Sequence, residues 1–414
     1  MNLTINRSRL FNASCFAIIT TAMAFAIRAG VLTQLGKEFN LTAQELGYVN
    51  QMAFLGFPIA MIFGGPLYNI IGPKRIAWVA FATHVLGLVL TITASGFWSL
   101  LISTFFVGFG NGTVEAACNP MVTDMYSGNQ TTKMLNRLHM WFPGGIVIGS
   151  LLSKFMTDAG LSWQLQISAI LIPAVIYAVL FFGQQFPASK VEGASSTGEN
   201  LKAMASPLYL FMLACMALTA ISEFGPEQWI DPIMRNAGAN PMLILALVTG
   251  LMAVGRYFAG PIVHRLNPTG VIWGSSIVAA IGIYMMSNAT GGMVYLSAVI
   301  FAIGVCYFWP TMLGFVAEYI PKSGAFGLSI MGGMGMFATS IFQPVIGSWL
   351  DTEAAKRGLT AETADLATGQ ATLGHMVIFP LILIVAFGIL FFVMRNRKPG
   401  HHVDESVVLN QPIQ

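Results

Sequence analysis

Long apolar stretches separated by short polar ones run through the chain from its beginning to residue 394. Each stretch holds about 20 residues or more, which is the length that a helix needs to cross the hydrocarbon core of a bilayer. Because unpaired backbone groups are not tolerated in lipid, we expect an all-α membrane protein. The pattern predicts twelve transmembrane helices, numbered here as spans 1 to 12: 11–35, 44–69, 74–96, 97–122, 133–156, 163–186, 206–230, 240–263, 270–289, 292–318, 325–350 and 372–394.

The polar stretch between spans 6 and 7 divides the chain into two similar halves. Span 2 is followed by Gly65-Pro66 and span 8 by Gly260-Pro261, so the halves repeat a local pattern. A six-plus-six repeat is typical of transporters whose two bundles rock around a central site. The predicted units are an amino-terminal six-helix bundle in 1–186, a cytoplasmic linker in 187–205, a carboxyl-terminal six-helix bundle in 206–395 and a cytoplasmic tail in 396–414.

Composition narrows the class of protein. Of 414 residues, 55% are hydrophobic and only 9% are charged, against about 25% charged in soluble domains. These values exclude an ordinary soluble globule and a disordered chain. The net charge of +3 and the scattered cysteines indicate neither a nucleic-acid partner nor a metal site. We expect a monomer in the lipid bilayer that needs no cofactor.

The distribution of lysine and arginine predicts the orientation. With a cytoplasmic amino terminus, thirteen of these residues lie in cytoplasmic segments and five on the other side. Because positive residues accumulate on the cytoplasmic side, both termini are predicted to be cytoplasmic, in the inner membrane of a cell. Arg28 and Arg256 remain inside the membrane.

Short motifs add a family resemblance. The segment Gly65–Arg75 resembles the loop between helices 2 and 3 of the major facilitator superfamily, with Asn69 where the family usually has Asp. The segment Glu115–Pro120 resembles the helix 4 signature of the fucose:proton symporter branch. That branch carries a carboxylate in the middle of helix 1, where this chain has Arg28. The resemblance implies a twelve-helix major facilitator fold and cation-coupled uptake of sugars or related polar solutes.

A carboxylate in the middle of span 4 is the first site candidate. A charge in the bilayer core is costly, so Glu115 is a functional candidate. Asn111 and Asn119 lie four residues before and after it, which predicts one polar face for substrate binding. Glu115 is predicted to bind the coupled proton or to accept hydrogen bonds from a polyol. The alternative is a structural ion pair with Arg28.

Arg28 in span 1 is the second candidate. Its guanidinium is always charged and suits bidentate recognition of a carboxylate. Two functional interpretations follow: a clamp for a substrate carboxylate, or a partner that Glu115 releases on protonation. A static salt bridge is the alternative.

Span 7 contains two glutamates one turn apart. Glu223 is the deeper one, and it is predicted as a second acidic group for proton coupling and substrate binding. Glu227 is expected to reach water outside the membrane. Gly225 and Pro226 lie between them and predict a bend or break, which in transporters often lines a substrate cavity.

Neutral side chains and gate residues complete the prediction. Amides and aromatic rings suit sugars, although polar groups also hold helices together. The candidates for substrate binding are Asn50, Gln51, His139, Trp229, Tyr307, Trp309 and Gln343. His139 is alternatively a proton relay or a core histidine. The predicted gate residues are Lys74 or Arg75 with Asp124, and Arg256 with Glu318.

Together these features predict a secondary transporter that works by alternating access with proton symport. A sugar or sugar derivative is the preferred substrate, an organic or sugar-acid anion held by Arg28 is the second, and drug efflux by proton antiport is the third. A channel and an intramembrane enzyme are less well supported. ATP-driven pumping is not expected, because only Lys322 precedes Ser or Thr and it follows Pro321, unlike a phosphate-binding loop.

Overall fold

The computed structural model of the chain describes residues 5–126, 129–188, 197–257 and 259–395. Within these residues the regular secondary structure is helical, which confirms the all-α prediction. Part of the predicted linker, 189–196, and the predicted tail, 396–414, lie outside the described residues.

The first part of the chain forms eight helices. They are α1 (Arg7–Phe39), α2 (Ala43–Ile71), α3 (Pro73–Ile92), α4 (Phe97–Met125), α5 (Asn129–His139), α6 (Trp141–Asp158), α7 (Trp163–Ala169) and α8 (Leu171–Phe181). The second part continues with α9 (Thr197–Met204), α10 (Pro207–Gln228), α11 (Ile230–Met234), α12 (Pro241–Tyr257), α13 (Ala259–Met286), α14 (Gly292–Val305), α15 (Phe308–Tyr319), a 3₁₀ turn (Pro321–Ser323), α16 (Gly324–Ala355), α17 (Leu366–Met376) and α18 (Ile378–Met394).

In the part of the chain that the structure describes, ten helical segments are long and apolar enough to cross a membrane. They match ten of the twelve predicted spans. Span 5 is divided at Met140, between α5 and α6, and neither piece meets the criterion. For span 8, the helix α12 is apolar but shorter, ending at Tyr257.

The predicted irregularity of span 7 is present but shifted. Pro226 lies inside α10, and the helix ends two residues later at Gln228. Trp229 interrupts the helical geometry with φ −105° and ψ 13°, and α11 follows directly. The side chains of residues 223–229 are therefore presented on the last turn of one helix and the break after it.

Small residues let α2 approach its neighbours at backbone distance. A Cβ atom on Gly112 of α4 would lie 2.1 Å from the carbonyl oxygen of Phe57. A Cβ atom on Gly347 of α16 would lie 2.2 Å from the carbonyl oxygen of Ala43. Close approach through small residues is a common way of packing helices in membranes. It places α2 firmly between α4 and α16.

We call one end of the molecule the closed end, because side chains there join the first part of the chain to the second. Asp351, near the end of α16, accepts hydrogen bonds from the backbone amides of Ala43 (3.0 Å) and Gln44 (2.8 Å) at the start of α2. Asp231 accepts a hydrogen bond from the hydroxyl of Thr33. The carboxylate of Asp351 thus meets the positive end of the α2 dipole.

The start of α2 also has a cap within its own sequence. The Thr42 hydroxyl accepts a hydrogen bond from the Glu45 amide at 3.2 Å, and the Glu45 carboxylate accepts one from the Thr42 amide at 2.8 Å. This reciprocal pair is a capping box. The first turn of α2 is therefore capped both locally and by Asp351.

Candidate functional site

Arg28 is buried in the middle of α1, with 5% of its surface exposed. Its Nε donates a hydrogen bond to Oδ1 of Asn50 at 2.9 Å, and its Nη2 donates one to Oε1 of Gln228 at 2.6 Å. The guanidinium carbon also lies 5.0 Å from the ring centre of Phe25 and 5.7 Å from that of Phe54. Amides and aromatic faces surround the cation without neutralising it.

The third nitrogen of this guanidinium, Nη1, is buried and has no hydrogen-bond partner among the described residues. A cavity of about 20 Å³ adjoins Arg28 and includes Thr91 and Thr104 in its wall, which is room for roughly one water molecule. The ion pairs of the described residues include none with Arg28. A buried cation without a counter-charge is costly, so this position favours an anion.

Gln343 on α16 extends the contacts of Arg28 into the second part of the chain. Its Oε1 accepts hydrogen bonds from Nε1 of Trp229 at 2.8 Å and from Nδ2 of Asn50 at 3.5 Å. Its Nε2 is buried without a partner among the described residues. We call Arg28, Asn50, Gln228, Trp229 and Gln343 the amide network. Four of the predicted site residues, Arg28, Asn50, Trp229 and Gln343, are brought together in it.

An aromatic layer crosses the molecule next to this network. Its rings, in their order across the layer, are Phe142, Phe25, Phe54, Phe224 and Trp309, and the centroids of neighbouring rings lie 6.1, 5.1, 5.8 and 6.3 Å apart. The layer joins α1, α2 and α6 to α10 and α15. Sequence reasoning did not identify these five rings as a group. The signal was weak, because the chain has 30 phenylalanines spread over most spans.

A second arginine inside the helical body, Arg256, does have a carboxylate partner. Nη2 of Arg256 lies 3.3 Å from Oε1 of Glu223, and Nε of Arg256 donates to the carbonyl oxygen of Cys306 at 2.9 Å. The predicted partner of Arg256, Glu318, is exposed instead. That pairing was wrong, because α10 brings a closer carboxylate to α12. The Tyr307 hydroxyl donates to the carbonyl oxygen of Gly255 at 3.1 Å, beside this pair.

Glu227 lies one turn beyond Glu223 and is equally buried, each with 3% of its surface exposed. The expectation that Glu227 reaches outer water was wrong, because the residue is buried inside the structure. Oε1 of Glu227 and Oε2 of Glu223 are both buried without hydrogen-bond partners among the described residues. Glu227 is close enough to Glu223 and Arg256 for their charges to act on it.

The predicted polar face of α4 is divided. Nδ2 of Asn119 donates to Oε2 of Glu115 at 2.6 Å, as the spacing of four residues suggested. Asn111 instead contacts Nε2 of His84 through its Oδ1 at 2.8 Å. Nδ1 of His84 in turn lies 3.1 Å from the hydroxyl of Tyr177. Glu115 is buried, and it is not paired with Arg28 as one hypothesis had it, because Arg28 points to α2 and α10.

The remaining predicted residues lie away from this centre. Lys74, Arg75, Glu318 and His139 are exposed in the structure. Asp124 accepts a hydrogen bond from the Tyr68 hydroxyl at 2.7 Å. Their gating and binding roles stay predictions. Among the described residues, no group of three or more His, Cys, Asp or Glu side chains could hold a metal ion.

A family comparison decides the class of protein. The sequence profile of the Major Facilitator Superfamily matches residues 14–342. The chain belongs to the major facilitator superfamily. It is therefore a multi-pass membrane transporter and not an enzyme.

Known superfamily members resemble this chain at low identity. The hexuronate transporter of Bacillus subtilis (strain 168) is 23% identical over 389 residues, covering 77% of this chain and 90% of that protein. Myo-inositol transporter 1 of Candida albicans is 22% identical over 157 residues, covering 37% of this chain but only 28% of that protein. The crystal structure of a D-xylose-proton symporter superimposes with a TM-score of 0.73 at 13% identity, covering 91% of this chain and 97% of that one.

Proposed function

We propose that this superfamily member is a secondary active transporter for a sugar acid or another small organic anion, coupled to protons. The observation that carries the proposal is the buried, unneutralised guanidinium of Arg28. Its Nη1 has no hydrogen-bond partner among the described residues, and its other contacts are neutral amides and phenyl rings. A substrate carboxylate would supply both the missing charge and the missing acceptor.

The chemistry of arginine supports a carboxylate as the group recognised. The planar guanidinium matches a carboxylate with two parallel hydrogen bonds, which are stronger than hydrogen bonds between neutral groups. The flanking rings of Phe25 and Phe54 hold the cation in place by cation–π attraction, which is stronger in a desolvated setting. The similarity to the Bacillus hexuronate transporter extends over 90% of that protein, and its name specifies an acidic sugar. This similarity supports an anionic substrate.

We further propose twelve spans in two six-helix bundles, residues 1–186 and 206–395, that alternate access around the amide network. The contacts of the closed end between α2 and Asp351 favour a conformation shut on that side. Following the charge distribution, we assign the closed end to the outer face of the inner membrane, with both termini cytoplasmic.

A neutral sugar is the second candidate substrate. The D-xylose-proton symporter is a structural neighbour, and the sequence resembles the fucose:proton branch around Glu115. In this case Arg28 would hold hydroxyl groups instead of a carboxylate. Glu115, Glu223 and the network side chains would supply acceptors and donors for them.

The two candidates differ by one functional group, so one pair of probes separates them. Purified protein in proteoliposomes is given radiolabelled D-glucuronate or D-glucose, which differ at carbon 6, with an inward proton gradient. We expect accumulation of D-glucuronate that collapses when a protonophore removes the gradient. Arg28→Lys keeps the charge but loses the planar fork, and it should weaken D-glucuronate affinity at least tenfold.

Three outcomes contradict the proposal. Accumulation of D-glucose with exclusion of D-glucuronate would replace the anion with a neutral sugar. Unchanged D-glucuronate affinity in Arg28→Lys would remove the clamp. Export of a lipophilic dye against the gradient, without uptake of either sugar, would favour the third prediction, drug efflux.

A further inference from the structure

We infer that Glu223 and Glu227 form a proton-binding pair on α10 that shares Arg256, with the proton held on Glu227 while Glu223 is bound to the guanidinium. Proton binding by this pair can be tested without a substrate. Its use in coupling rests on the proposed function.

The geometry gives the two carboxyl groups different partners. Glu223 is 3.3 Å from Nη2 of Arg256, whereas no hydrogen bond to Glu227 is found among the described residues. Both residues are buried, each with 3% of its surface exposed, and they stand one helical turn apart on α10. Glu227 is therefore as buried as Glu223, but it has no ion pair with Arg256.

The balance of charge requires a proton. Two carboxylates and one guanidinium would leave a net negative charge in a buried place. A buried carboxylate without a counter-charge or hydrogen bond is strongly disfavoured and instead binds a proton. When two carboxylates share a site, one of them is protonated preferentially. The ion pair of Glu223 leaves Glu227 as the site of that proton.

Within the described residues, the surrounding elements bring no other cation into contact with the pair, since Arg235 after α11 donates to Thr33 instead. Facing the pair are Arg256 from α12, Cys306 and Tyr307 between α14 and α15, and Arg28 of α1, which is reached through Gln228. The stretches 326–350 of α16 and 378–394 of α18 contain no charged residue in their sequences. Arg256 is thus the one cation in direct contact with a member of the pair among the described residues.

The pair also stands beside the proposed anion site. Gln228 follows Glu227 in sequence and accepts the hydrogen bond of Arg28 at 2.6 Å. Loss of the proton from the Glu227 carboxylic acid to a water molecule, giving carboxylate and hydronium, would place a new negative charge next to this contact. That charge would compete with a substrate anion for Arg28. Proton release and anion release are thereby linked.

Infrared absorption tests the proton directly. A protonated carboxyl has a C=O stretching band that a carboxylate lacks, so spectra of the purified full chain in lipid at neutral pH report its state. We expect Glu227→Gln to remove one such band. Glu353→Gln is the control: Glu353 is a buried carboxylate of another helix that is already paired with Lys356 and Arg357, so this substitution should leave the band in place.

Two further variants predict changes of opposite sign, which unfolding would not produce. Glu223→Gln frees Arg256 to neutralise Glu227, so the band should disappear. Arg256→Gln removes the shared cation, so Glu223 should also become protonated and the band should grow. A wild-type spectrum without the band, or a band that survives Glu227→Gln, would overturn the inference.

Transport then separates this inference from the proposed function. In proteoliposomes, Glu227→Gln should retain exchange of labelled D-glucuronate across the membrane but lose accumulation driven by a proton gradient. Full gradient-driven accumulation in Glu227→Gln would overturn the coupling role. If wild-type protein moves no D-glucuronate while the infrared band behaves as expected, the proposed substrate class fails and the proton pair stands.

Discussion

Arg28 and Arg256 are both held inside the helical body of the protein, yet their surroundings differ in kind. Arg256 has a carboxylate 3.3 Å away and 27% of its side chain exposed. Arg28 is almost fully buried among amides and phenyl rings and has no ion pair among the described residues. The contrast separates a charge that the fold itself neutralises from one that it leaves for another molecule. Substitutions of the two arginines should therefore affect different properties.

The largest effect is expected for substrate binding in Arg28→Gln. Truncating one partner of a buried charge pair costs about 2–5 kcal/mol. Because about 1.4 kcal/mol corresponds to a factor of ten, D-glucuronate affinity should fall by a factor of roughly 30 to 4,000. The melting temperature without ligand should not decrease, since an unneutralised buried charge is removed. A large loss of stability in the free protein would show that Arg28 is structural.

Arg256→Gln should have the opposite profile. It leaves Glu223 buried without its cation, and loss of one partner of a buried pair costs about 3–5 kcal/mol. We expect about 2 kcal/mol here, because Arg256 is partly exposed. The free energy of unfolding in mild detergent should fall by this amount and recover in the double variant Arg256→Gln/Glu223→Gln. If the double variant is no more stable than the single one, the ion pair does not explain the loss.

A smaller effect is expected for the stability cost of replacing two phenylalanines that belong to one cluster. Phe54 lies under the Arg28 guanidinium, whereas Phe57 is buried in the same cluster without that contact. Phe54→Leu should therefore cost about 1 kcal/mol more stability than Phe57→Leu, the scale of a cation–π contact. The excess should vanish in an Arg28→Gln background. Equal costs in both backgrounds would mean that the ring contributes packing alone.

The smallest effect concerns the closed end, whose contacts join α2 to α16 and do not include Arg256. Asp351→Asn removes the charge at the α2 terminus, where a carboxylate is worth about 0.3–1 kcal/mol. Hydrogen exchange at Ala43 and Gln44 should accelerate about two- to five-fold, while α12 around Arg256 keeps its protection. Glu362→Gln, which breaks the exposed pair with Lys37 at the same end, is the control and should change neither.

The sequence predicted the helices better than the contacts between them. Span 2 was expected at 44–69 and is found as α2, Ala43–Ile71, because apolar length and the Thr42 and Glu45 signals are local. The division of span 5 at Met140 was not predicted, although Pro143 in the first turn of α6 lacks the amide that would continue the helix from His139. Whether the two bundles and twelve spans are correct stays a proposal.

Much of the candidate site depends on residues far apart in the chain. Arg28, Glu115 and Glu223 were identified because a charge inside an apolar stretch is conspicuous. Their partners were mostly mistaken: Arg28 meets Gln228, 200 positions away, and Arg256 meets Glu223 instead of Glu318. Hydropathy predicts how deep a residue lies in the membrane. It does not predict which neighbouring helix the side chain of that residue faces. For the same reason the depth of Glu227 was misjudged.

The double capping of α2 has a consequence for how easily the closed end can open. When Asp351 moves away, the capping box of Thr42 and Glu45 remains, so the helix terminus does not unravel. The amides of Ala43 and Gln44 exchange a carboxylate for water, and each such hydrogen bond has a net worth of only about 0.5–1.5 kcal/mol. Two such hydrogen bonds favour the closed over the open conformation by a factor of roughly 10 to 100. A ligand that binds the open conformation more tightly by a similar factor can reverse this preference. The Asp351 contacts can thus stabilise the closed conformation reversibly, and α2 does not have to refold in each transport cycle.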